Sequence, residues 1–171
     1  MGRLTLDYLA AKTAQAITSV IGIKAKNGEI EATDVDNLAT KALGVLQSQG
    51  VYAMFLFLLS RSGDKLEEKE MKKEERVACE LVSKLWPLRE PVKALLGEEG
   101  KAENGALAPE EVNKREKKRE ILERIAKLTE DLDTLLLVRD LYEQTLIYTR
   151  FGAKAAKAAT ETRKDSAGAE V

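Results

Sequence analysis

Residues 38–61 read LATKALGVLQSQGVYAMFLFLLSR, and this stretch decides the fold. Its first half has the amphipathic pattern of a helix up to Gly50, and its second half, VYAMFLFLL at 51–59, is apolar on every face. A helix that is apolar all round must be enclosed by other helices or by another subunit. Because the rest of the chain is charged and rich in helix-forming residues, the sequence predicts a bundle assembled around this segment.

The composition favours one all-α domain. The chain has 171 residues, 33% of them charged, and only 3 Pro. We therefore expect a single-domain bundle of about five to seven helices around a buried apolar central helix, ending in a long C-terminal helical hairpin or helix. Since 28 Lys and Arg balance 29 Asp and Glu, any affinity for nucleic acid must come from local basic patches.

Several features predict a cytoplasmic protein. Lone Cys79 cannot form an internal disulfide, which is typical of a reducing compartment. The opening MGRLTLDYLA lacks the apolar core of a signal peptide, and the apolar run at 51–59 is shorter than the roughly 18 residues needed to cross a bilayer. We expect no membrane partner. Many Lys and Glu with no His also suit a thermophile.

Apolar periodicity and turn residues predict the order of elements. The sequence predicts a helix over 4–22, a turn over 24–31, and a helix capped by Thr33 or Asp34 that runs to Gln49. Gly50 either ends this helix or lets it bend into the apolar segment to Arg61, and we favour a break there. The sequence then predicts a helix over 65–85, a short helix from Pro91 to Leu96, and a final helical region from Pro109 that is interrupted near Thr129. The domain is predicted to span 4–159, with a mobile loop at 97–108 and a flexible tail at 160–171.

Aromatic residues lie on the predicted apolar faces and are expected in the core. They are Tyr52, Phe55 and Phe57 in the central helix, and Tyr142, Tyr148 and Phe151 in the last helix.

The residues of common catalytic sites are missing. Without His there is no Ser-His-Asp or Cys-His arrangement, and one Cys excludes a zinc site of the thiolate kind. Glu67, Glu70, Glu74 and Glu75 have helical spacing, but interleaved Lys and Arg favour ion pairs on a solvated face. We therefore expect no enzyme activity, no metal and no cofactor, with hydrolysis at a carboxylate-bound metal as an alternative hypothesis.

Two basic clusters are the more informative signal. Residues 114–124 contain six basic and three acidic residues, and residues 150–164 contain five basic residues and one acidic residue. One interpretation is that these basic residues keep the protein soluble and stabilise a helix C-terminus. The functional alternative is contact with the phosphates of a nucleic acid.

Two blocks of the sequence resemble one protein family. LATKALGVLQSQGVYAMFLFLLSR at 38–61 and LLLVRDLYEQTLIYTRFGAKAAKA at 135–158 are similar to the central and last helices of the small subunit of the type III-B CRISPR effector, the Cmr complex. The N-terminal helix with Tyr8 is compatible with the opening of that family. The resemblance covers roughly residues 4–62 and 130–158.

This resemblance implies a noncatalytic helical bundle that stacks with copies of itself along larger subunits and lines the groove holding guide and target RNA. Carried over by position, Lys41, Arg61, Arg150 and Lys154 are the candidate RNA contacts. Small subunits of type III-A and type I-A effectors remain alternatives, as does a self-associating helical scaffold or adaptor with no nucleic-acid role.

Overall fold

A computed structural model describes residues 5–63, 70–96 and 114–167 of the chain. It confirms the predicted all-α, single-domain bundle. The predicted loop at 97–108 lies outside the described residues. In chain order the elements are α1 (Leu6–Thr18), the short strands β1 (Lys24–Ala25) and β2 (Gly28–Glu29), α2 (Ala32–Arg61), α3 (Lys73–Leu85), a 3-10 turn (Trp86–Leu88), α4 (Arg89–Leu95), α5 (Lys114–Leu128) and α6 (Leu132–Ala167).

The central helix α2 is bent at Gly50, the alternative to the break that the sequence pattern favoured there. Gly50 has φ 88° and ψ −174°, which are not helical values, while the residues on both sides continue as helix to Arg61. Residues 51–59 are therefore helical, and Val51, Met54 and Phe55 are buried there. α2 packs against α3, α5 and α6, which makes it the centre of the bundle.

α2 and α6 lie antiparallel and carry the main core interface. Near the start of α2, Arg150 Nε donates to Asp36 Oδ1 at 3.3 Å, and further along Gln47 Nε2 donates to Glu143 Oε1 at 2.7 Å. Beyond the bend, the Phe55 ring meets Tyr142 edge-on with 5.5 Å between centroids. Across these three contacts the residue numbers rise along α2 and fall along α6, so the two helices are antiparallel.

The aromatic residues divide between core and surface. Phe55 and Tyr142 are fully buried, as expected. Tyr52 is 41% exposed and Phe151 is 63% exposed, so the expectation that they lie in the core was wrong. Tyr52 lies on the side of α2 that the other described helices leave open, as does Leu56 one turn later at 48% exposed. Phe151 lies at the edge of the apolar stripe of α6, of which the neighbouring helices cover only the centre.

The predicted turn at 24–31 is a tight hairpin that sets the start of α3. β1 and β2 pair antiparallel, with Lys24 opposite Glu29. Asn27, in the loop of this hairpin, accepts a hydrogen bond from Lys73 N at its Oδ1 atom over 2.8 Å. Asn27 thus satisfies the first amide of α3, which begins at Lys73 and not at residue 65 as predicted. Residues 70–72 are not α-helical, and residues 64–69 lie outside the described segments.

Other helix boundaries differ by a few residues from those predicted. α1 ends at Thr18 rather than near residue 22, because the chain turns there towards Gly22, which has φ 88°. α2 begins at Ala32, and Asp34 accepts from Glu31 N at 2.8 Å from within the first turn. α4 begins at Arg89, ahead of Pro91.

The last two helices follow the predicted pattern except at the end. The interruption predicted near Thr129 is confirmed, since α5 ends at Leu128 and Asp131 Oδ2 accepts from Thr134 N at 3.0 Å as α6 begins. α6 continues to Ala167, so no helix boundary falls at the predicted start of the tail, residue 160. Residues 153–159, which lead into this segment, are all Ala apart from Lys154 and Lys157, and Ala has the highest helix propensity.

Within the described segments, α2 is the helix long and apolar enough to cross a membrane by length and composition alone. In the bundle, 44% of its most apolar 18-residue stretch is buried. The core helix of a soluble protein meets the same criteria, so this is weak evidence for a membrane span.

Candidate nucleic-acid interface

Three cations lie on one face of the C-terminal half of α6. Arg150, Lys154 and Lys157 are four and three residues apart, a spacing that places side chains next to one another on a helix. Lys154 and Lys157 are exposed, and Arg150 is half-buried. We call these three residues the α6 basic stripe. Its side chains are accessible to a large polyanion.

Arg150 links the α6 basic stripe to the start of α2. Its Nε donates to Asp36 Oδ1 at 3.3 Å, and about a third of its side chain remains exposed. A guanidinium carries several further N–H donors in a planar fork that suits phosphate. Arg150 can therefore hold Asp36 and still present donors to a ligand.

The two lysines of the stripe differ in their surroundings. Lys157 Nζ lies 4.0 Å from Glu161 Oε1, an exposed pair one turn apart. Lys154 has no acidic partner among the residues that the structure describes. Exposed pairs of this kind contribute about 0–1 kcal/mol, so both ammonium groups can exchange water for phosphate.

Arg61 has a structural role at the other end of α2. Its guanidinium pairs with the carboxylate of Glu74 on α3 and lies over the Phe57 ring, 4.7 Å from the centroid. A cation in the last turn of a helix also stabilises its C-terminus. The side chain thus joins α2 to α3.

Lys41 is exposed on the outer face of α2. It is five residues after Asp36, a rotation of roughly 140° around a helix, and so points away from the side where Asp36 meets Arg150. Of the four predicted RNA contacts, the structure brings together Arg150 and Lys154. It does not bring Lys41 or Arg61 to them.

Lys157 and Asp36 belong to this region but were not among the predicted site residues. Lys157 could have been found from its helical spacing after Lys154. Asp36 could not, because it lies 114 residues from Arg150 in the chain and only the α2–α6 pairing brings them together.

The glutamates near the start of α3 satisfy nearby cations and backbone groups. Glu74 pairs with Arg61, and Glu75 Oε2 accepts from Lys72 N at 2.9 Å. Glu70 is exposed in the turn before α3, and Glu67 lies outside the described residues. Among the described side chains, those of residues 5–63, 70–96 and 117–162, no three or more Asp, Glu or Cys form a group able to hold a metal ion.

A buried polar cluster lies beside the core aromatics. Arg89, 8% exposed, stacks over the Trp86 ring at 3.5 Å from the centroid and donates to Trp86 O at 2.9 Å. Burial raises the pKa of the Tyr142 hydroxyl above its ordinary value, and the nearby Arg89 charge opposes the shift in part. This hydroxyl has no hydrogen-bond partner within the described segments. The cluster joins the 3-10 turn, α4 and α6.

Family models, curated proteins and solved structures give no significant match to this chain.

Proposed function

We propose that this protein is a noncatalytic small subunit of a type III CRISPR ribonucleoprotein effector, in which it contacts the phosphates of guide or target RNA. Small subunits of type III-A or type I-A effectors are the nearest alternatives. Its partners in this proposal are larger subunits, further copies of itself and RNA, and the complex is cytoplasmic.

The α6 basic stripe is the observation that supports RNA contact. Its cations are accessible along one helix face, and all three lie in the block that resembles the family's last helix. Phosphate contacts of this kind give affinity without sequence preference. Base pairing between guide and target would then supply the specificity, so the subunit needs only a positive surface on a rigid support.

A charge reversal at Lys154 tests this role with the least effect on the fold. Lys154 is exposed and has no acidic partner in the described part of the chain, so Lys154→Glu breaks no described ion pair. Lys127→Glu is the matched control, since Lys127 is an exposed lysine on α5. We expect Lys154→Glu to weaken RNA retention by the assembled complex about three- to tenfold, and Lys127→Glu to have little effect.

A salt series separates phosphate contact from other effects. If Lys154 meets a phosphate, the slope of log affinity against log salt falls by about 0.7–0.9 in the variant. An unchanged slope and affinity would remove Lys154 from the interface. Lys41→Glu, measured in the same way, tests whether Lys41 on α2 contacts RNA.

A self-associating helical scaffold is the second candidate, and exposed apolar side chains favour it. Phe151 is 63% exposed and Tyr8 is 55% exposed, and Phe151 lines a groove of about 330 Å³ between α1 and α6. Exposed apolar patches are typical of surfaces that bind other proteins. Phe151→Ser should reduce self-association in sedimentation if this surface joins two copies, and should leave it unchanged if the surface meets a different subunit.

A further inference from the structure

A cavity of about 280 Å³ lies between the end of α2, the last turns of α3 and the first half of α5. Its apolar walls include Leu59, Val82, Trp86 and Ile121, all at most 8% exposed. Ser83, also in the lining, is exposed, so the cavity reaches the surface there. This size falls just below the usual range for small-molecule sites, and the apolar lining is typical of them.

Two lysines of α5, Lys117 and Lys118, also line this cavity. Lys118 Nζ donates to Gly63 O at 2.8 Å, and Cys79 Sγ donates to Ser62 O at 3.1 Å, so these two side chains hold the chain just after α2 in place. Lys117 is half-buried in the same lining. Lys117 has no acidic partner within the described segments. Two glutamates of α5 pair with other residues, Glu123 with Arg119 and Glu120 with Arg124.

We propose that this cavity binds a small apolar carboxylate. The apolar walls favour a hydrocarbon body, since burial of apolar surface stabilises by about 25 cal/mol per Å². Lys117 is half-buried and has no acidic partner among the described residues, so a carboxylate at the cavity wall can pair with its ammonium group. The body can be an alkyl chain or an aromatic ring, and the small volume excludes larger lipids.

Titration of the full chain with sodium octanoate and with 1-naphthoate tests this proposal. In ¹H–¹⁵N correlation spectra we expect saturable shifts confined to the end of α2, the last turns of α3 and the first half of α5. Trp86 is the only tryptophan, so its fluorescence gives a second readout for octanoate at the cavity wall. Saturable binding of either acid supports the proposal, and the tighter of the two identifies an alkyl or an aromatic body.

Three variants tie binding to the cavity. Lys117→Met should weaken octanoate binding about tenfold while leaving the neutral analogue 1-octanol unaffected. Lys127→Met, the same substitution at an exposed site on α5, should change neither. Ser83→Phe, at the exposed opening, should abolish binding without loss of the cooperative melt.

The proposal is overturned if neither acid gives saturable shifts at millimolar concentration, or if the shifts spread over the whole surface. Equal binding of octanol and octanoate, or equal effects of Lys117→Met and Lys127→Met, would also exclude the carboxylate role of Lys117.

Discussion

Gly50 gives the sharpest test of how the central helix is built. Its φ of 88° and ψ of −174° lie in a region that is essentially limited to glycine, where another residue costs about 1–3 kcal/mol. No heavy atom lies within 4 Å of the position that a Cβ would occupy. The cost of Gly50→Ala therefore comes from the backbone alone, without a steric clash.

Gly44 is the matched control, six residues earlier on the same helix. It is exposed, has no positive φ, and a Cβ added there would likewise meet nothing within 4 Å. Gly44→Ala should stabilise by about 0.5–1 kcal/mol, because alanine loses less backbone entropy on forming a helix. The two substitutions should thus differ by about 1.5–4 kcal/mol, with opposite signs.

Urea unfolding followed by circular dichroism measures both variants. We expect Gly50→Ala to lower the midpoint and Gly44→Ala to raise it, with similar m-values. Each kcal/mol corresponds to about 2–4 °C in Tm for a domain of this size. If Gly50→Ala is as stable as the wild type, residue 50 has helical torsions and α2 is straight, contrary to the structure.

Two further predictions concern the aromatic core. Phe55→Ala should lower the free energy of unfolding by about 3–5 kcal/mol, because the fully buried ring contacts Tyr142 and Trp86. The control Leu56→Ala, at a neighbouring side chain that is 48% exposed, should change it by about 0.5 kcal/mol or less. Equal losses in urea unfolding would contradict the buried position of Phe55. Because the pKa of Tyr142 is raised, the folded state keeps the hydroxyl proton above pH 10 while the unfolded state loses it. The free energy of unfolding therefore falls as the pH rises above 10, by up to about 1.4 kcal/mol per pH unit. Tyr142→Phe removes this contribution and should show a shallower loss between about pH 10 and 11.5 than wild type; identical slopes would mean that the hydroxyl is not desolvated.

The fold class and the irregular backbone at Gly50 could be predicted because they depend on local pattern. Apolar residues at 51–59 on every face require enclosure, and Gly50 interrupts a helical pattern on either side. The interruption near Thr129 is local in the same sense. By contrast, the hydrogen bond from Lys73 N to Asn27 at the start of α3 joins residues 46 positions apart, and no local pattern predicts that contact.

The candidate interface was predictable only in part. The family resemblance named Arg150 and Lys154, and the structure places these two residues, four positions apart, on one face of α6. The ion pairs of Arg61 and Arg150 depend on neighbouring helices, so the sequence could not distinguish a structural cation from an accessible one. Exposure of Tyr52 and Phe151 was missed for a related reason, since periodicity gives the face of a helix but not how far its neighbours extend.

The composition of the native assembly tests the proposed function most directly. A tagged chain purified from its own cells under gentle salt, then analysed by mass spectrometry and RNA sequencing, should carry several larger subunits and short RNAs that share CRISPR repeat sequence. A homo-oligomer free of nucleic acid and of other subunits would contradict the account.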